Sequence, residues 1–381
     1  GGGNCETFAT FSDPERPPEQ SPGNDFPNDQ TPGGDFISFE SGPEQSECAD
    51  QTASSTRTQT VMFVGDLLSR IGQVRGTSFE RRSQTSALSN PYGGAASADG
   101  DISNSQRFSP FLVFDVNETD RRATDNSRAY DQDNRAVIIG ADYRFSDSLI
   151  AGASLSYVDF DTQYEANQGS NDVENVILGF HASKYWGNTY LDALAIYGQI
   201  DLDAQRNSSA FGGGVYKSSS EGDFHTAELA VGHMFGHKQW NITPSVRLLH
   251  LRGVLDRYTE TRVDTAGAGG AITFEDQPFE SLNARASLQV DYPLLTNWGV
   301  LIPSFYYAYH HEYIGAESVT SNAGGGLTQM GEDPTRNYRV GRINLSAQFK
   351  HGLSGFLSYE SLIKHELMDR DSLALGVRLE L

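Results

Sequence analysis

The sequence predicts an all-β fold: an antiparallel transmembrane barrel of twelve strands. Three observations carry this. The last eleven residues alternate strictly, with Leu373, Leu375, Val377, Leu379 and Leu381 on one parity and Ser372, Ala374, Gly376, Arg378 and Glu380 on the other. A period of two marks a strand with one apolar face. Because termini usually fray, a strand that runs to the final residue points to a sheet that closes on it. The alternative is an edge strand of a soluble sandwich. Second, twelve strand candidates follow from residue 108 onward, near 110–117, 134–145, 148–161, 172–186, 189–202, 222–236, 239–259, 274–292, 298–312, 336–350, 353–361 and 371–381. Third, their connectors alternate between short turns and long polar loops, the layout of an outer-membrane barrel.

The totals agree. A hydrophobic share of 37% is low for a large globular core over 381 residues, but suits a barrel with a polar lumen and long loops. No run of 18 apolar residues occurs, which excludes a transmembrane helix and leaves transmembrane strands open. The formal charge of -22 excludes a nucleic-acid binder, which needs a basic stripe. The 39 glycines, 17 tyrosines and 21 phenylalanines suit curved strands and interfacial ring belts, and equally a soluble all-β protein. The chain starts Gly-Gly-Gly-Asn-Cys with no basic, apolar leader, so a secreted protein would be seen here in processed form.

Residues 1–58 form an acidic, irregular segment rich in Pro, Gly and Ser; the first 60 residues hold 11 acidic and 2 basic side chains. Cys5 and Cys48 lie in it with no nearby histidine or third cysteine to suggest zinc. A disulfide in an oxidising compartment is the favoured reading, adding about 4 kcal/mol by loop closure; two unpaired thiols are the other. Residues 59–76 change character. Val61, Val64, Leu68, Ile71 and Val74 recur at helical spacing, which predicts a short amphipathic helix over 59–75. Gly65 and Gly72 each weaken it by roughly 1 kcal/mol, so it needs a surround, either a soluble core or the inside of a wide barrel. Residues 77–107 are a polar linker.

Within 108–381 the alternation sorts residues by face. Val137, Ile139, Ala141, Tyr143 and Phe145 oppose Gly140, Asp142 and Arg144, and Trp240, Ile242, Pro244, Val246 and Leu248 oppose Asn241, Thr243, Ser245 and Arg247. Leu282 to Tyr292 alternate against Asn283, Arg285, Ser287, Gln289 and Asp291. A charge at mid-bilayer costs several kcal/mol, so the arginine-bearing face is wet. In the tenth candidate the parity changes between Val340 and Ile343, which predicts a bulge or a misplaced boundary. Short turns fall at 146–147, 187–188, 236–238, 295–297 and 351–352, and long loops at 118–133, 203–221, 260–273 and 313–335. Tyr185, Trp186, Trp240, Tyr292, Trp298 and Tyr313 fit interfacial belts, with core packing as the alternative.

The ordered series VIIGADYRFSDSLIAGASLSYVDFD (137–161), YLDALAIYGQIDLDAQR (190–206), WNITPSVRLLHLRGVLDRYTET (240–261), 277–313 and 333–366, through the terminal strand, resembles the translocator domain of autotransporters, the type V secretion family. The resemblance covers 108–381 and, more loosely, 59–75. It implies a barrel in the outer membrane of a Gram-negative bacterium, long loops extracellular, with the N-terminal α-helix in the lumen. On that reading Leu68, Ile71 and Gly72 of the helix face lumen residues drawn from Asp142, Arg144, Glu228, Arg247, Arg285, Gln289 and Arg378. Val377, Leu379 and Leu381 hold the C-terminal insertion signal, with Leu381 where the family usually ends in an aromatic. The implied partners are outer-membrane lipid and lipopolysaccharide, the barrel-assembly machinery, the chain's own passenger or N-terminal segment, and a surface protein. No cofactor is implied. A long passenger does not precede the helix in this sequence, so either it has been cut away or the N-terminal segment stands alone.

Enzyme chemistry finds little support. His310 and His311 adjoin Glu312, but neighbours on a strand point to opposite faces and do not ligate one metal together. Asp66 and Ser69 lack any nucleophile elbow, and the glycine runs at 212–214 and 323–326 lack the lysine of a phosphate loop. The expected function is a non-enzymatic translocator and surface anchor. The alternatives are a structural barrel whose N-terminal segment and loops bind a partner, then an unplugged pore, and last a hydrolase.

Overall fold

The computed structural model describes residues 107–124, 128–208, 214–264, 271–314, 318–321, 327–330 and 335–381. Twelve long strands run through them: β1 (Phe108–Arg121), β2 (Tyr130–Ser146), β3 (Leu149–Tyr164), β4 (Gly169–Trp186), β5 (Thr189–Ser208), β6 (Gly214–His233), β7 (Trp240–Leu255), β8 (Gln277–Asp291), β9 (Gly299–Glu312), β10 (Asn337–Phe349), β11 (Leu353–Ile363) and β12 (Met368–Leu379). Each pairs antiparallel with its sequence neighbours. The ring closes where β12 meets β1, in continuous register from Phe111↔Arg378 to Arg121↔Met368. Closure leaves neither terminal strand as an edge.

One part of the expected fold is corrected. Among the described residues there is no α-helix, only single 3-10 turns at Glu165–Asn167 and Lys350–Gly352. The helix expected over 59–75, with Leu68, Ile71 and Gly72, falls outside the described residues, as do Cys5 and Cys48. The fold is therefore an all-β, twelve-stranded antiparallel barrel. Helical spacing alone was weak support for that element, since it rested on a segment carrying Gly65 and Gly72.

The strands are longer than the alternation implied. β5 and β6 run to 20 residues each, while about 9–11 tilted residues cross a bilayer core. Much of what read as loop at 118–133 and 203–221 is strand. At the end opposite the short turns, the connections at 165–168 and 364–367 are themselves as short as turns, so short and long connectors do not alternate throughout.

The extra length changes the meaning of the two faces. In the half nearer the short turns, outward residues are apolar and exposed, as at Val137, Ile139, Val176, Leu178, Leu373 and Leu375. The inward parity there mixes polar residues, such as Asp142, Ser156, His181 and Arg378, with buried apolar ones, such as Phe111, Ile138, Ile177 and Phe356. In the other half the outward residues of β2 and β4 become Asp131, Asp133, Asp172 and Glu174. The inward residues of β3 to β8 there become a buried apolar cluster that includes Phe160, Val173, Leu202, Phe224, Leu251 and Phe279. Burial keeps one parity along the whole of β2 and β4, and it is the outward residues that change from apolar to charged. Polar residues are also buried in the half away from the short turns, as at Asn117, Thr119, Gln132 and Asn134 on β1 and β2 and at Thr162, Asn171, Gln277 and Ser281.

The tenth strand carries no bulge: β10 is in continuous register with both neighbours, with Val340 inward and Ile343 outward at 64% exposure. Trp186, Trp240 and Trp298 stand exposed at the short-turn end, where Trp240 packs on Tyr292 at 4.7 Å and Trp298 on Phe349 at 5.2 Å. Tyr313 is exposed at the other end. Tyr185 leaves the belt; it shares the inward parity of Ser183 and lies 6.5 Å from Tyr190.

Candidate functional site in the barrel lumen

Two polar constellations line the lumen. The first ties the closing seam. Asp142 on β2 accepts a hydrogen bond from Arg378 Nη1 on β12 at 2.6 Å, and its other oxygen lies 2.6 Å from His181 Nε2 on β4. All three side chains are buried, with exposures of 1%, 3% and 0%. The tie crosses two intervening strands. On β3 the residue between Asp142 and His181 is Gly152, where a Cβ would fall 2.4 Å from His181 Nε2 and 2.6 Å from Asp142 Oδ1. Only glycine leaves room for that hydrogen bond.

The second constellation lies on the facing strands. Arg247 on β7 donates to Glu228 on β6 at 2.8 Å, and Arg342 on β10 donates through Nε to Glu360 on β11 at 2.7 Å. Tyr306 on β9 sits 4.5 Å beneath the Arg342 guanidinium. Between these pairs is Arg285 on β8, directly opposite Arg247 on one side and His310 on the other. His310 stacks on Tyr338 at 4.4 Å.

Of the residues expected in the lumen, Asp142, Glu228, Arg285 and Arg378 are buried on the inward parity, and Arg144, Arg247 and Gln289 share it at intermediate exposure. Gln289 donates to Asp291 at 2.9 Å near the periplasmic rim. His181, Tyr306, Arg342 and Glu360 were missed. For Arg342 and Glu360 the signal was available, since each lies on the parity of the polar residues in its strand. Val377, Leu379 and Leu381 face outward, as alternation requires. His310 and His311 do point to opposite sides, with His310 buried and His311 donating through Nδ1 to Asn337 Oδ1 at 2.8 Å.

At the mouth opposite the short turns, Arg206 grips Glu260 through Nε at 2.7 Å and through Nη2, and lies 4.4 Å over Tyr216. This pins the segment between β7 and β8, whose Tyr258 and Phe274 stack at 4.7 Å, against the barrel. Outside, above the apolar band, carboxylates oppose one another strand after strand: Asp371, Glu118, Asp133, Asp161, Asp172 and Asp203. Burial, then repulsion from neighbouring acids, raises the pKa of Asp172 and of Asp120.

A closed barrel of twelve strands with a charged lumen and an apolar outer band is the frame against which known proteins can be compared. The autotransporter beta-domain profile matches residues 114–360. The chain belongs to the autotransporter beta-domain family. Among solved structures, the translocator domain of the autotransporter NalP from Neisseria meningitidis superposes with a TM-score of 0.59 at 14% identity, covering 82% of this chain and 98% of that one. The beta domain of the Bordetella autotransporter Brka gives 0.53 at 18% identity, covering 72% and 100%. At these identities the likeness is one of fold. No curated protein matches in sequence. The barrel is a translocator domain of autotransporter type, placed in the outer membrane of a Gram-negative bacterium with its longer loops extracellular. The short turns and both barrel ends then face the periplasm.

Proposed function

We propose that this translocator delivers the acidic segment 1–58 to the cell surface and anchors it there. The division of the chain supports this reading: a barrel from 108, a polar stretch at 77–107, and an acidic segment over 1–58 with no apolar face of its own. The observation that carries it is the closed ring, whose seam leaves a lumen lined by charge through the membrane half. Insertion would proceed through the barrel-assembly machinery, with Val377, Leu379 and Leu381 as the apolar edge of the strand that machinery reads. The outward band would meet outer-membrane lipid, and the groups above it lipopolysaccharide.

The test is thiol labelling of intact cells with a membrane-impermeant maleimide after reduction. Cys5 and Cys48 are the only cysteines. Labelling of both on whole cells supports surface display; labelling only after the outer membrane is opened rejects it. Labelling without prior reduction would show that the two thiols are not bonded. A second reading, a barrel that binds a surface partner, is favoured by the rows of outward carboxylates, which suit a cationic partner.

A further inference from the structure

We infer that Arg285 forms a carboxylate-binding site on the lumen wall, with Arg247 beside it. Three arginines line this part of the wall, and two have carboxylate partners, Arg247 with Glu228 and Arg342 with Glu360. Arg285 is 8% exposed, its Nε has no hydrogen-bond partner, and no ion pair joins it to a described carboxylate. Its cross-strand neighbour is a second arginine rather than an acid. With no ion-pair partner of its own, the buried guanidinium leaves the wall poised for an anion. A guanidinium fork matches a carboxylate through two parallel hydrogen bonds.

Two sources supply that chemistry: the chain's own N-terminal segment, with 11 acidic and 2 basic residues in its first 60, and free carboxylates entering from solution. The first source rests on the delivery reading above. A tethered segment competes at millimolar effective concentration, which favours it over dilute solutes.

The experiment uses the full chain refolded in detergent micelles, with succinate as probe and sodium chloride at equal ionic strength as control. Thermal unfolding is followed in the wild type, in Arg285→Gln, and in a chain whose N-terminal acids before residue 58 are changed to their amides. If the chain's own segment is the source, the wild type responds weakly and the amide chain gains at least a tenfold tighter apparent succinate affinity. If free carboxylates are the source, the two respond alike. In both cases the response is lost when Arg285→Gln is added. Should Arg285→Gln fail to fold, Arg285→Lys, which keeps the charge and loses the fork, weakens the response instead. Absence of any Arg285-dependent response in either background overturns the inference. Cysteine labelling on cells fails or succeeds independently, so loss of the delivery reading would be seen separately.

Discussion

Arg378→Met is the most demanding test of how the ring is held shut. Arg378 and Asp142 are 3% and 1% exposed and 2.6 Å apart, so the magnitude is that of a buried pair rather than the 0–1 kcal/mol of a surface one. Removing the arginine leaves buried Asp142 with His181 but without its guanidinium, a loss of up to about 3–5 kcal/mol. Methionine keeps most of the packing volume, which isolates the electrostatic loss. Equilibrium urea unfolding of the chain in lipid vesicles, read from the fluorescence of Trp186, Trp240 and Trp298, measures it. The companion Asp142→Leu and the double variant complete a cycle, and the double variant should recover at least ~1 kcal/mol relative to the sum of the singles. A loss below about 1 kcal/mol for Arg378→Met, or strict additivity, would falsify the view that this tie locks β12 to β2 across β1.

Gly152→Ala should destabilise the barrel by more than the ordinary cost of a small steric change, because the new methyl displaces His181 from Asp142; the same urea titration decides, and an unchanged midpoint refutes it. The raised pKa of Asp120 and Asp172 means that the folded chain binds more protons than the unfolded one, so stability should rise as pH falls from neutral toward the usual carboxylate value near ~4, with Asp172→Asn losing part of that rise. His365, between β11 and β12, has its pKa lowered to about 4 by burial and then by Arg121; its contribution runs the other way, falling between pH ~6.5 and about 4, and a His365→Phe chain whose acid limb matched wild type would remove it from the account. Glu260→Gln should loosen the segment between β7 and β8, seen as faster protease cleavage there with the barrel intact.

How much of this was legible depends on which solvent each strand segment meets. Strand number, order and closure were readable because lipid imposes one parity, and Leu373 to Leu381 obey it without exception. Strand length was not, because above the bilayer the apolar parity switches sides: on β7, Leu248 is outward and Leu249 inward, with Leu251 and Leu255 following it inside. A reader tracking one parity sees the pattern dissolve there and writes a loop. The apparent bulge in β10 has a similar origin, an apolar Val340 on the inward side at the level where the lumen ceases to demand polarity. Within the lumen, charged residues in clean alternation, such as Arg285, were found, but Tyr306 and His181 were not. Their rings carry both apolar and polar character, so hydropathy alone does not assign them a face.

That switch of parity also explains how the outward carboxylates are tolerated. Like charges directly opposite on paired strands are destabilising, by roughly 0.2–1 kcal/mol a pair, and the row from Asp371 to Asp203 repeats the arrangement at every strand boundary it crosses. Nothing in the lipid band can offset this, because its contacts end below. What lies at the same height is the inward cluster of Phe160, Val173, Leu202, Phe224 and Leu251, each a full side chain worth about 1.5–3 kcal/mol when buried. A partial offset outside comes from Arg122, paired to Asp369 at 2.7 Å, and from Arg135, opposite Asp159. Screening should therefore act on one half of the molecule. Raising the salt concentration shortens the Debye length and should slow amide exchange in the strand ends above the band while leaving the membrane-embedded half unchanged. Equal slowing in both halves would place the strain elsewhere than in these rows.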